Sequence, residues 1–287
     1  MSLTIAYITS RREPEMNWFF DSLRNQVSDE QPKVIVVDLY CDSREIPEAT
    51  HVPPKPNVWQ GEHRLTKEDW WAKSNAMNTA IILCETNFIA FVDDRCVLGP
   101  SWLIAVKRAM TNSYAVCGDY EKRANMKVEN GVIIEPGELL GAGRGEGFMR
   151  TKDWWGGSYA LPLDWCLEVN GWPEDMCDGL GSEDSQFGMT LLNSGFPMWY
   201  DSELKIIEDR TPGQIEGGLK RADKNSHLGQ KAKSWDIVRC FRDKKTSQNS
   251  YDIRNLKDRV LINHEPFPLP SASDRDWYDG QLLSEME

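Results

Sequence analysis

The sequence predicts an α/β protein, with a mixed, mainly parallel sheet flanked by helices and a C-terminal extension. Residues 3–8 form a continuous apolar run, and residues 34–37 are a second, β-branched run. Between them, residues 14–25 carry apolar side chains at helical spacing. This strand–helix–strand order predicts parallel strands joined by a right-handed crossover, with ligands bound beyond their carboxyl ends.

The same alternation continues along the chain. Residues 67–84 predict a helix whose small side chains suit close packing against a sheet, and residues 87–92 predict a third strong strand. A helix over 100–110 follows, opened by Pro100 and Ser101. Shorter strands are predicted at 115–118, 198–200 and 204–207, and a short helix at 234–242. We interpret the polar, glycine-rich segment 119–152 as a mobile flap.

Composition narrows the class of protein. The 287 residues carry a net charge of −12, which disfavours general nucleic-acid binding because that binding depends on Lys and Arg neutralising phosphates. No stretch reaches the roughly 18 apolar residues that span a bilayer, and the start lacks the features of a secretory signal. The seven scattered cysteines include no CxxC pair. We therefore expect reduced thiols, no structural zinc and a cytoplasmic location.

Two adjacent carboxylates, Asp93 and Asp94, follow the third strong strand. Their mutual repulsion is costly unless positive charge lies beside them. A divalent metal bridging to a nucleotide diphosphate would supply that charge, because hard cations favour oxygen ligands and phosphates. The alternative is a solvated loop that caps the next helix.

A second acidic pair, Glu183 and Asp184, opens a helical run that ends at Gly195. Acids in a first helical turn are favoured by the helix dipole, so simple capping is one interpretation. Catalysis is the other, because a general base held at a helix start can lie within reach of an attacking hydroxyl. Glycines and tryptophans around the pair favour a pocket there, since indoles stack on sugar rings and bases.

Taken together and in order, these segments resemble the GT-A glycosyltransferases, most closely the inverting family-2 type and its galactosyltransferase-like relatives. The segment FVDDRCVLGPSWL at 91–103 aligns without gaps on the family pattern F-L-D-x-D-D-x-L-x-P-x-W-L. The stretch 155–196 has the family's aromatic-Gly-Gly, Asn-Gly-Trp and Gly-x-Glu-Asp signature, and KSNAMNTA at 73–80 resembles a family helix. The resemblance covers roughly residues 3–200, and it implies a GT-A, Rossmann-like sheet.

The resemblance implies a role for each matched position. Asp184 matches the general base that deprotonates the acceptor, and Glu183 matches the neighbour that helps to hold the acceptor. Asp93 matches the first acid of the family's DxD motif, near the donor ribose and the metal. The other positions implied for the donor are Thr9 and Arg11 in the nucleotide loop, Asp38 or Asp42 for a uracil-type base, and Lys73 or Arg95 for the leaving diphosphate.

The acceptor side is implied by the same comparison. Trp154, Trp155 and Trp172 are candidate platforms for a donor or acceptor sugar, with core packing as the alternative, and Gly157 belongs to the aromatic-Gly-Gly signature. His227 lies where several relatives supply a further metal ligand, and a plain surface histidine is the alternative.

One departure from the family pattern leaves the metal open. The third DxD position is Arg95 instead of an acid. In one outcome, Asp93, Asp94 and His227 hold Mn²⁺ or Mg²⁺. In the other, Arg95 itself neutralises the leaving diphosphate, because its planar fork can donate two hydrogen bonds.

These inferences predict an inverting transferase that uses a nucleotide-diphosphate sugar, with UDP as the expected nucleotide. We expect a glycosyltransferase domain over 1–208, with a nucleotide-sugar half at 1–110 and an acceptor half at 111–208. Residues 209–287 would complete the site and wrap the surface. A sugar nucleotidyltransferase and an inactive nucleotide-sugar or glycan-binding module are the alternatives. The acceptor stays open among a glycan, a lipid-linked glycan, a protein and a modified base.

Overall fold

The computed structural model describes residues 2–26, 31–63, 71–149, 157–174, 183–211 and 244–274. The strands are β1 Leu3–Thr9, β2 Lys33–Asp38, β3 Thr50–Val52, β4 Phe88–Asp93, β5 Cys96–Leu98, β6 Ala115–Ala124, β7 Lys127–Glu129, β8 Val132–Glu135, β9 Glu138–Gly143, β10 Gly147–Phe148, β11 Ser158–Pro162 and β12 Met198–Asp209. The α-helices are α1 Met16–Arg24, α2 Lys73–Leu83, α3 Trp102–Asn112, α4 Leu163–Glu168, α5 Glu183–Asn193 and α6 Ile253–Leu261.

Ten of these strands form one mixed sheet, in the order β10-β12-β6-β11-β4-β1-β2-β3, with β5 added on β12 and β9 on β6. Strands β3, β2, β1 and β4 are parallel neighbours, whereas β11 runs antiparallel between β4 and β6. Strand β12 is parallel to β6. The predicted mixed, mainly parallel α/β sheet is confirmed, and β1, β2, β4, β6 and β12 all point their carboxyl ends to one edge.

Both faces of the sheet are buried, which explains why β1 and β4 are apolar without alternation. Ile5 and Tyr7 of β1 pack with α1 and α3 on one face, while Ala6 and Ile8 pack with α2, α4, α5 and α6 on the other. Successive side chains of a strand point to opposite faces, so a strand covered on both sides needs apolar residues throughout.

Helix α2 has the predicted small-residue packing face, but it starts later than the sequence suggested. Ala76 and Ala80 are fully buried, as are almost all other residues of the helix. Trp71 and Ala72 lie before it and are not helical; residues 67–70 of the predicted helix lie outside the described residues. The helix therefore begins at Lys73, which places this lysine at the edge of the sheet.

The glycine-rich segment differs from the predicted flap. Residues 138–143 form β9 and pair antiparallel with β6, and residues 147–148 form β10 on β12. These strands satisfy the segment's backbone groups with ladder hydrogen bonds. The sequence did not predict these strands, because the segment has few apolar residues in a strand pattern. Even the two leucines of β9, Leu139 and Leu140, are exposed.

Two short strands predicted at 198–200 and 204–207 are one long strand. Strand β12 runs on to Asp209, with a shift in its register against β6 between Asp201 and Ile206. This irregularity separates two apolar runs that belong to the same strand. The extra residues carry the strand to the edge where β4 also ends.

Part of the C-terminal extension is folded onto the domain. Helix α6 packs against α2, and the Lys257 ammonium donates hydrogen bonds to the carbonyls of Ile82, at 3.1 Å, and Cys84. Asn170 connects the same region, because its amide donates to the Tyr251 carbonyl at 3.1 Å. The helix predicted at 234–242 lies outside the described residues.

Within the described ranges, no helix combines the length and the apolar character that crossing a lipid bilayer requires. The cysteines described there are free thiols: Cys41, Cys84, Cys96, Cys117 and Cys166.

A tight contact between β6 and β12 yields a stability prediction. A Cβ added at Gly118 would lie 1.6 Å from the backbone carbonyl oxygen of Leu204, which cannot move without disturbing β12. We expect Gly118→Ala to lower the free energy of unfolding by about 2 kcal/mol, measured by urea denaturation. Gly141→Ala is the matched control, because a Cβ there meets nothing within 4 Å. Equal stability of the two variants would contradict the prediction.

Candidate active site

The carboxyl ends of three parallel strands bring the first predicted residues together. Thr9 lies opposite Asp38 in the β1–β2 register, and Ile8 lies opposite Asp93 in the β1–β4 register. The backbone amide of Asp93 donates to the carbonyl of Gly157 at 3.1 Å, which places Gly157, the last residue of the aromatic-Gly-Gly signature, beside the same strand end. The sheet therefore assembles donor-half and acceptor-half candidates along one edge.

Asp93 forms an ion pair with Lys73, with 2.8 Å between the ammonium nitrogen and a carboxylate oxygen. Burial by itself would raise the pKa of Asp93. The charge and hydrogen bond of Lys73, with smaller contributions from the charges of Arg210 and Lys122, lower it to about 2. The carboxylate is therefore ionised at neutral pH.

The second acidic pair, Glu183 and Asp184, also affects the pKa of Lys73. Burial acts to lower the pKa of Lys73, yet the carboxylates of Asp93, Glu183 and Asp184 raise it well above its ordinary value. Glu183 and Asp184 occupy the first turn of α5, where Glu183 is buried and Asp184 is half-buried. Lys73 thus lies in the electrostatic field of both acidic pairs that the sequence singled out.

Asp94 points into a different set of contacts. One of its oxygens accepts a hydrogen bond from the Thr9 hydroxyl at 2.7 Å, and the other accepts one from Nε of Arg11 at 2.9 Å. All three residues are buried. These bonds tie the loop after β1 to the end of β4.

Arg95 is turned toward the protein interior. It has a left-handed backbone, with φ of 53°, between β4 and β5. Its guanidinium lies 2.6 Å from Asp209 and donates to the Glu13 carbonyl at 2.9 Å, and only 3% of the side chain is exposed. Its assignment to the leaving diphosphate stays a prediction, and these contacts do not favour it.

Asp38 and Asp42, the alternatives for base recognition, differ in their surroundings. Asp38 is fully buried, with one carboxylate oxygen 3.1 Å from both Arg44 Nε and His51 Nε2. Its other oxygen accepts from the Tyr40 amide at 2.8 Å. Asp42 lies exposed in a short 3-10 turn just beyond. Asp38 therefore organises the loop, and Asp42 is the one of the two that a ligand can reach.

The tryptophan candidates separate into one core residue and two others. Trp172 is fully buried, stacks on Phe187 with ring centroids 4.3 Å apart, and also contacts Tyr159 and Phe91. A side chain enclosed in this way cannot also stack on a sugar, so we assign Trp172 to the core. Trp154 and Trp155, like His227, lie outside the described residues.

Sequence reasoning missed three charged residues beside Asp93. Glu208 and Arg210 follow the apolar part of β12, and Lys122 is the register partner of Glu208 on β6. Arg210 Nε lies 2.6 Å from a Glu208 oxygen. Burial, with the charges of Asp93 and Asp94, raises the pKa of Glu208 to about 7. The signal was the triplet Glu-Asp-Arg at 208–210, which comes directly after the apolar run of a strand, as Asp-Asp-Arg does at 93–95.

The two described carboxylates predicted to hold Mn²⁺ or Mg²⁺ each contact a cationic side chain. Asp93 already has the ammonium of Lys73 at 2.8 Å, and Asp94 has the Arg11 guanidinium at 2.9 Å. A metal bound by both carboxylates would compete with both of these cations. Within the ranges that the structure covers, no three acidic, histidine or cysteine side chains cluster to hold a metal ion. The described part of the predicted donor set does not fit a divalent metal.

The sheet and its flanking helices match the GT-A-like fold of glycosyltransferases with known structures. The sequence matches no protein-family model, and no curated protein sequence is significantly similar to it. Solved structures are similar in fold. S. aureus TarS residues 1–349 with UDP-GlcNAc has a TM-score of 0.51 and 11% identity, over 100% of this chain and 82% of that one.

Two further structures extend the comparison. TarS 1–349 with UDP gives a TM-score of 0.50 and 14% identity, over 75% of this chain and 62% of that one. GalNAc-T7 with UDP, GalNAc and Mn²⁺ gives a TM-score of 0.56 and 9% identity, over 98% of this chain and 55% of that one. In these two alignments the chain thus spans less than two thirds of the structure that it matches. At identities this low, the similarity establishes the fold alone.

The buried Glu208 yields a prediction for the pH dependence of stability. In the folded protein Glu208 keeps its proton up to about pH 7, whereas its usual pKa is 4.5. Between these values the folded state binds more protons than the unfolded state, so stability falls as pH rises through this window. Relative to Glu208→Gln, the wild type should lose up to about 3 kcal/mol between pH 4.5 and 7.

Urea denaturation at several pH values measures this difference. The matched control is Glu129→Gln, since Glu129 is an exposed acid on β7. For Glu129→Gln, the difference in free energy of unfolding from the wild type should not change with pH. If the difference for Glu208→Gln is also constant with pH, Glu208 does not titrate as described.

Proposed function

We propose that this protein is a glycosyltransferase that moves a sugar from a nucleotide-diphosphate sugar to an acceptor hydroxyl with inversion. The observation that carries the proposal is the convergence at Lys73. This lysine is 2.8 Å from Asp93, on the donor side, and its pKa is raised by Asp93 and also by Glu183 and Asp184, on the acceptor side. A transferase needs its donor and acceptor groups within one small volume, because the reacting atoms must meet at about 3–3.5 Å.

The donor is assigned to the edge formed by β1, β2 and β4. Here the nucleotide loop is held rigid by Thr9 and Arg11 on Asp94, which pre-orders the surface that a nucleotide would contact. Asp42 is the accessible acid for the base. UDP is the proposed nucleotide, supported by the UDP and UDP-GlcNAc bound in the TarS structures and the UDP bound in GalNAc-T7.

Asp184 is the proposed general base, and Glu183 helps to hold the acceptor. Asp184 is half-buried in the first turn of a helix, where its carboxylate is held by the backbone amide of Ser185 at 2.7 Å. It is thus anchored and partly exposed, whereas Glu183 is buried. Burial raises the pKa of Tyr159 on β11, and the charges of Asp93 and Asp184 add to this effect.

The reaction then proceeds in a single displacement. The acceptor oxygen attacks the anomeric carbon from the face opposite the nucleotide, and its proton passes to the Asp184 carboxylate. The bond between the anomeric carbon and the β-phosphate oxygen breaks, and the nucleoside diphosphate leaves with the electron pair. Attack from the opposite face inverts the configuration at the anomeric carbon.

The proposed division of the chain follows the same logic. Residues 1–110 would bind the nucleotide-sugar, 111–208 would bind the acceptor, and 209–287 would complete the site. Trp154, Trp155 and Gly157 remain the proposed acceptor surface. Gly157 supports this through its carbonyl, which accepts the amide of Asp93 and so holds the acceptor segment against the donor strand.

A donor screen tests the proposal directly. Purified protein is incubated with UDP-, GDP- and dTDP-sugars, and release of the nucleoside diphosphate is measured with and without a mixture of candidate acceptors. We expect release from a UDP-sugar, either by transfer to an acceptor in the mixture or by transfer to water. The absence of release from every donor, with Mn²⁺ and with EDTA, would favour the inactive binding module.

Asp184→Asn tests the base. The amide keeps the shape of the side chain but cannot accept the proton, so we expect turnover to fall by about 10²–10⁴-fold, with UDP affinity by calorimetry unchanged. Asp164→Asn is the matched control, because Asp164 also lies in the first turn of a helix but is 83% exposed. Undiminished transfer by Asp184→Asn would exclude this residue as the base.

A further inference from the structure

Positive charge is built into the proposed donor site at the place where a diphosphate would leave. The Lys73 ammonium contacts Asp93 at 2.8 Å and only 15% of the side chain is exposed. Lys73 is also the first residue of α2, and the cap residue Ala72 gives that helix no side-chain cap. The ammonium and the amides of a helix start act on the same region, and both favour a phosphate.

Two more cations lie around the same carboxylate. Lys122 on β6 pairs in register with Glu208 near the end of β12, and Arg210 is the residue that follows this strand. The charges of both cations act to lower the pKa of Asp93. Lys122 packs over the ring of Tyr120 at 5.0 Å, and Arg210 is held by Glu208 at 2.6 Å. Each cation is therefore supported by a contact of its own, and three strands or helices contribute positive charge to one edge.

The second carboxylate of the DxD-like segment is not available to balance a metal. Asp94 gives both its oxygens to Thr9 and Arg11 in a buried cluster. Removing one member of a buried ion pair leaves an uncompensated charge, which typically costs about 3–5 kcal/mol. A metal that recruited Asp94 would meet this cost and would also compete with Lys73 for Asp93.

We propose that Lys73, together with Lys122 and Arg210, stabilises the leaving diphosphate, so that this chain transfers its sugar without a divalent cation. The inference rests on the proposed function and deepens it. As the bond between the anomeric carbon and the β-phosphate oxygen breaks, negative charge grows on the diphosphate. The Lys73 ammonium donates a hydrogen bond to that oxygen while Asp93 holds the lysine in place. No proton needs to move, because a diphosphate is a stable leaving anion.

Removal of metal is the first test. UDP release from the best UDP-sugar is measured for protein treated with EDTA and for protein given Mn²⁺ or Mg²⁺. We expect equal turnover within about threefold, because fixed cationic side chains stabilise the charge on the leaving diphosphate. A larger loss in EDTA that Mn²⁺ restores would overturn the inference while leaving the glycosyltransferase proposal intact. No release under either condition would instead count against the proposed function.

A binding measurement gives a readout that does not depend on turnover. UDP is titrated into the protein by calorimetry in EDTA and in Mn²⁺. Equal dissociation constants are expected, since the diphosphate contacts are supplied by the chain. Binding that Mn²⁺ strengthens by about tenfold or more, equivalent to 1.4 kcal/mol, would contradict the inference.

Substitution of Lys73 is the third test. Lys73→Ala should lower kcat by about 100-fold, and Lys73→Arg should retain more activity because it keeps the charge. Lys33→Ala is the matched control, since Lys33 forms an ion pair of the same kind with Glu85, at 2.7 Å, but is 62% exposed. Thermal melting with and without UDP verifies that each variant is folded. A folded Lys73→Ala variant that loses less than about tenfold in kcat would overturn the assignment.

Discussion

The candidate site depends on one largely buried ion pair, in which Lys73 at the start of α2 neutralises Asp93 at the end of β4. A charge removed from water is tolerated only when another charge or a hydrogen bond replaces the lost hydration. The pair therefore constrains its surroundings: α2 must approach the sheet closely enough for the ammonium to reach β4. The small residues Ala76 and Ala80, both fully buried, make that approach possible.

The same constraint explains which parts could be predicted from the sequence. β1, β2 and β4 are apolar on both faces, so their patterns stand out, and parallel pairing then fixes where Thr9, Asp38 and Asp93 meet. The helical start at Glu183 was equally clear, because acids and glycines mark helix boundaries. These local signals correctly gave the mixed, mainly parallel sheet and the edge at which the candidate residues gather.

Other features depend on contacts between distant segments and have no local signature. The glycine-rich residues 138–143 become a strand because β6 offers its edge, and β12 is one strand although an irregularity divides its apolar pattern. The partner of Arg95 is Asp209, 114 positions along the chain. Likewise, the indole of Trp172 is of a type that stacks on sugars, and only its packing on Phe187 shows that it belongs to the core.

Helix α2 is held at both ends, and this has a mechanical consequence. Its first residue lies among the acidic pairs, while the carbonyls at its far end are bonded by Lys257 of α6. A helix of 11 residues is a stiff rod about 16 Å long, so an axial shift at one end appears almost undiminished at the other. Helix α6 can thus influence the depth at which the ammonium of Lys73 sits, through its contact with the far end of α2. Substitutions in α6 would therefore change the position of the Lys73 ammonium at the edge of the sheet.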